Sequence, residues 1–206
     1  MIDPMGLCRF AVAAVLLVAP LSVVSRAIDL DVTAEDVDRA LTIARSRDRE
    51  RAAFHAPYIK LLDIATVERV EVVSEFRRIV LTAEDRALKG DRAFTHSVTL
   101  AQHANAPWKG RLSVVARLRF HPQNTYVAVP PADIILEGPA AVVIGVLRDP
   151  ILSLPSAEPG DRLPILGAIV EVVFDATTLG QGTREFVVRL EKRELTRVTF
   201  DLGALQ

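Results

Sequence analysis

The chain has 206 residues, with 25 Lys+Arg against 26 Asp+Glu and a formal net charge of −1 at pH 7. Half of the residues are hydrophobic and a quarter are charged, which is too apolar for a disordered chain and ordinary for a folded one. The balanced charge and an isoelectric point of about 6.4 argue against a nucleic-acid binder, which needs an excess of Lys and Arg to hold phosphates.

From Phe10 to Val24 the chain carries no charge; Arg9 precedes the run, and Ser25, Arg26 and Ala27 follow it. A basic start, an apolar stretch and a small-x-small ending predict a secretory signal peptide over 1–27, cut after Ala27. The run is shorter than the roughly 20 residues of a membrane helix and is broken by Pro20, so no membrane span is expected after cleavage. A retained N-terminal anchor is the alternative. The single cysteine, Cys8, lies inside the leader, so the exported chain has no thiol and must be held by its core. Residues 28–206 read as a single exported domain, mainly helical over 28–90 and mainly β over 91–206.

Thr33 is placed to cap a first helix, with Glu35 and Asp36 in its first turn. Val37, Ala40, Leu41 and Ala44 follow as one apolar stripe. Pro57 stops the next basic–acidic run. Phe76, Ile79, Val80, Ala83 and Ala87 mark a second amphipathic helix from Ser74, with Gly90 just past its end. Glu68 to Val73, before it, fits a strand slightly better than an early helical turn.

After Asp91 the apolar period changes from about 3.6 to 2. Leu112, Val114, Ala116, Leu118 and Phe120 share one strand face, and Arg111, Ser113, Arg117, Arg119 and His121 share the other. Leu166 to Phe174, Phe186 to Leu190 and Val198 to Leu202 repeat the alternation, with a hairpin turn at Glu191-Lys192-Arg193. Phe94 to Leu100 reads as another strand. Ile134 to Leu136 and Val142 to Leu147 are apolar enough to be covered on both faces. Asp149 to Pro164, rich in proline, reads as a loop. The expected fold is α+β: N-terminal amphipathic helices packed on a mainly antiparallel β-sandwich or barrel-like half of about seven strands.

Catalytic signatures are missing. The sequence has no nucleophile elbow, no zinc-peptidase helix, no phosphate-cradling glycine loop and no Asp-rich calcium loop. No cofactor and no metal are expected. Arg117, Arg119 and His121 share a strand face that is either simply solvated or a small anion site, with Asn124 and Tyr126 from the next loop assisting. His55 and Tyr58, around Pro57, form a second cluster, which packing of helix on sheet would also explain. Trp108 is either an exposed platform or a plug over a sheet edge. His96 follows the Phe94 face and reads as a core histidine.

These features predict an exported protein of the bacterial cell envelope, periplasmic or secreted. It would act as a non-enzymatic binding or assembly module through its loops or a sheet edge, with an envelope protein or a glycan as partner. The alternative is a metal-free hydrolase or lyase, with His121 or His55 working alongside a distant Asp or Glu.

Overall fold

The computed structural model describes residues 31–138, 140–153, 163–180 and 182–205. The leader over 1–27 and its cleavage point lie outside these residues. Thr33 caps α1 (Ala34–Ala44) through a reciprocal box: its Oγ1 accepts from Asp36 N at 3.2 Å, and Asp36 Oδ2 accepts from Thr33 N at 3.0 Å. The expected stripe Val37, Ala40, Leu41 and Ala44 is buried. After α2 (Asp48–His55), Pro57 falls in a 3-10 turn leading to β1 (Ile59–Leu61). The Glu68–Val73 segment is indeed a strand, β2 (Val67–Val73). Ser74 then caps α3 (Glu75–Leu88), which buries Phe76, Ile79, Val80 and Ala83 and ends before Gly90 at φ +85°.

The segment expected as a strand at Phe94–Leu100 is helical instead. A 3-10 turn (Phe94–His96) leads to α4 (Val98–Asn105), whose first turn is capped by Ser97 accepting from Leu100 N at 3.3 Å. Phe94 and Ala101 join α1 and α3 in a helical core, so an alternating pattern was overridden by a cap and a helix-side partner. His96 is consequently exposed, not a core residue, and its Nδ1 lies 2.9 Å from Arg45 Nη1.

The remaining strands are β3 (Arg111–Arg119), β4 (Ala132–Leu136), β5 (Val143–Leu152), β6 (Ile165–Asp175), β7 (Thr183–Leu190) and β8 (Arg193–Asp201). They form two antiparallel sheets, ordered β1-β2-β3-β6-β5 and β4-β7-β8. Neither closes into a barrel. The sheets share one core: Val70, Val114, Val172 and Phe174 from the larger pack with Ile134, Phe186, Val198 and Phe200 from the smaller. Phe54 touches both this core and the helical one. Helix α3 lies on the outer face of the larger sheet through charged side chains. Arg78 donates to Ser113 Oγ on β3 at 2.6 Å and to Glu171 on β6 at 3.0 Å. Burial pushes the Arg78 guanidinium below its ordinary pKa, and Glu171 partly offsets this.

Two expectations about the β half change. Val142–Leu147 is not covered on both faces: β5 is an edge strand, and the three-stranded sheet does not extend over it. Asp149 to Leu152 are part of β5, not of a loop; residues 154–162 of that segment lie outside the described residues.

Candidate functional site

The β3–β4 connection and the β7–β8 turn meet at one end of the stacked sheets and enclose a cleft of about 490 Å³. Its wall includes Phe120, Tyr126, Leu190 and Leu195, and its polar groups include Arg119, His121, Glu191 and Arg193. Four of the residues expected from sequence therefore line it together: Arg119, His121, Asn124 and Tyr126. Phe120 continues β3, donating from its N–H to Leu166 O at 2.8 Å, and its ring meets Tyr126 edge-on at 5.1 Å. Asn124 holds the loop. Its Nδ2 donates to His121 O at 2.6 Å and Ile165 O at 2.9 Å, and its Oδ1 accepts from Tyr126 N at 3.0 Å. The N–H of Gln123 donates to His121 Nδ1 at 3.2 Å, so the neutral ring carries its proton on Nε2 and presents a donor there.

Arg117 does not line the cleft. Glu68, which the sequence reading passed over, takes Arg117 Nε at 2.8 Å and Arg119 Nε at 3.4 Å, bridging the two guanidiniums across the strand pair. Arg193 and Glu191 were also missed. They lie some seventy residues away in sequence, on the turn of the smaller sheet, and only the stacking of that sheet on the larger one brings them to His121. That turn places Glu191 at φ 50° and Lys192 at φ 67°, left-handed backbone that ordinary side chains occupy at a cost.

The other expected residues lie elsewhere. His55 sits between α2 and α3: its Nε2 meets Glu84 at 3.1 Å, and its Nδ1 accepts from Arg77 Nε at 3.4 Å. Both ring nitrogens thus have protein partners. Arg77 is 1% exposed, donates to Glu71 Oε2 at 2.8 Å and to the Val72 carbonyl, and lies 5.1 Å over the ring of the buried Tyr58. His55 and Tyr58 belong to a polar seam tying the helices to β2. Trp108 is half-buried in a 3-10 turn, with Arg78 stacked 3.7 Å from its ring centre. Arg78 therefore covers one face of the indole.

A second feature is the open side of the stacked sheets. Along β5, Val143, Ile144, Val146, Leu147 and Leu152 are 40–52% exposed. Register with β6 puts Val143 and Val146 on the side of the core residues Phe174 and Val172, yet among the described residues no strand lies opposite to cover them. Between β5 and β4 runs a groove of about 450 Å³ lined by Ile134, Leu136, Ala141, Val143, Val146 and Phe174. Arg148 crosses this open side, donating from Nε to Ala132 O at 2.6 Å. The sequence did carry one signal of an edge: Pro150 lacks an N–H and is tolerated within a sheet on edge strands or bulges.

Among the described residues, no group of three or more His, Cys, Asp or Glu side chains is arranged to hold a metal ion. Among them, too, no helix is long and apolar enough to cross a membrane. Compared with known proteins, the chain matches no family model, no curated protein and no solved structure.

Proposed function

We propose that this is an exported protein of the bacterial cell envelope that works as a non-enzymatic binding or assembly module, pairing the free edge of β5 with an extended segment of an envelope protein. The observation that carries the reading is the ten-residue β5, an edge strand with five large apolar side chains about half exposed. Proteins blunt such edges with charge, short length or a covering element, because unpaired backbone groups beside apolar side chains attract another strand. Here Arg148, Asp149 and Pro150 blunt only the second half of the strand, leaving Val143 to Leu147 without charge or proline. An added strand would satisfy the free backbone groups, and its alternate side chains would cover Val143 and Val146 from the groove side. Covering a half-exposed Leu or Val contributes about 1 kcal/mol each, so a short segment gains useful affinity from this row.

The test is a photo-crosslinking amino acid placed at Leu147, at Val146 and, as a control, at Leu88 on α3, which is 89% exposed. In the native host, the two β5 positions are expected to give a shared discrete adduct that Leu88 does not, and Gly145→Pro should abolish it. Equal labelling from Leu88, or no adduct from β5, would refute strand addition. Export is tested separately: protein recovered from the host is expected to begin at Ile28.

A further inference from the structure

The cleft at the β3–β4 end is a separate site from the β5 edge and has a different chemistry. Its lining includes Arg119 and Arg193 and also His121, whose N–H donor is set at Nε2 by the Gln123–Nδ1 hydrogen bond. Glu68 holds Arg119 through Nε at 3.4 Å, leaving the terminal nitrogens of that guanidinium for another acceptor. On the far side of the same hairpin turn, Arg148, Arg189 and Lys192 surround a smaller cleft of about 220 Å³, with Asp133 the acidic residue there. This end of the molecule therefore favours negative charge. One acidic side chain, Glu191, stands in the larger cleft and disfavours a highly charged anion such as phosphate. Phe120, Tyr126, Leu190 and Leu195 supply an apolar wall, and a volume of about 490 Å³ suits a small molecule with an apolar body. Asn124, tied to Ile165 O and His121 O, fixes the loop in advance of any ligand.

We infer that this cleft binds a small organic monocarboxylate, whose carboxylate is gripped by Arg119, Arg193 and His121 and whose apolar portion lies on Phe120, Tyr126, Leu190 and Leu195. Such a carboxylate is carried by a short fatty acid or by the C-terminus of a peptide, and both present the same charge on an apolar stem.

The test is titration of the purified protein in low-salt buffer, followed by NMR, with hexanoate, N-acetylleucine, hexanamide and inorganic phosphate. Hexanoate or N-acetylleucine is expected to shift the amides of His121, of Gln123 to Tyr126 and of Arg193, and the tighter of the two identifies the source. Hexanamide should bind about tenfold more weakly, because it loses the charge-assisted hydrogen bonds. Arg193→Gln and Arg119→Gln should each weaken binding about fivefold. Glu68→Gln should strengthen it by freeing Arg119, a gain that a merely structural role would not produce. Equal binding of hexanamide, tighter binding of phosphate, no shift at millimolar carboxylate, or unchanged affinity in folded Arg193→Gln would each overturn the assignment.

Discussion

Replacing Arg77 with Met should cost this protein much of its stability. The guanidinium is 1% exposed, pairs with Glu71 Oε2 at 2.8 Å, donates to the Val72 carbonyl and to His55 Nδ1, and lies over Tyr58. Methionine keeps most of the stem, so the loss comes from the head group rather than from a cavity. Breaking a buried ion pair costs about 3–5 kcal/mol because the remaining charge has no partner. Glu71 still has Arg69 at 3.3 Å and a side chain 14% exposed, which puts its share near 3 kcal/mol, at the lower end of that range. The Val72 carbonyl, left without this donor, adds about 1 kcal/mol. A total of about 4 kcal/mol compares with about 5–15 kcal/mol for a whole domain. Urea denaturation followed by circular dichroism measures it. The double variant Arg77→Met/Glu71→Met removes the carboxylate left with only the half-exposed Arg69 and should recover about half of the loss. A single-variant cost below about 1 kcal/mol, or a double variant as unstable as both losses added, would refute the account in which Arg77 is the main partner of the Glu71 charge.

Burial, the largest influence on Glu75, raises its carboxyl above the ordinary pKa, against hydrogen bonds from Gly110 and Asn105 and the nearby Lys109. The folded state then holds this proton more tightly than the unfolded state. The resulting stabilisation is present below the ordinary value and is lost as pH rises through the raised one. Glu75→Gln should flatten that part of the pH–stability curve, and its amide can donate to Asn105 Oδ1, a buried acceptor without a partner, once the Asn105 amide turns over. A Tm profile across mildly acidic pH, compared with the parent, decides it. Gly167→Ala would put a Cβ 2.2 Å from Leu118 O on the neighbouring strand, so β3 and β6 must separate, at about 2–3 kcal/mol by denaturation. Lys192→Gly removes a side chain from φ 67° and should raise stability by about 1 kcal/mol, seen as a higher Tm. Val146→Lys, on the exposed edge, should change stability by less than about 0.5 kcal/mol by denaturation while weakening the adduct formed from a crosslinker at Leu147.

The sequence alone determined what local chemistry decides. Thr33 with Asp36, and Ser74 ahead of Phe76, mark helix starts because a cap and the first turn it serves lie within a few residues. The Arg111–Arg119 strand was legible because a period of 2 over nine residues leaves one face buried whatever the partner. Tertiary structure decided the rest. Phe94–Leu100 alternates like a strand, and only the helical core that receives Phe94 and Ala101 makes it helical. Val142–Leu147 reads as a doubly covered strand because hydrophobicity does not say whether a partner lies beyond; strand order places this segment at an edge. The site divides in the same way. Arg119, His121, Asn124 and Tyr126 are neighbours along the chain and could be grouped from it. Glu68, which bridges Arg117 and Arg119, arrives through a strand pairing that spans about fifty residues, and Arg193, which completes the cleft, through the stacking of one sheet on the other. Such pairings depend on which sheet each strand joins, and that choice is made by the whole core rather than by any one segment.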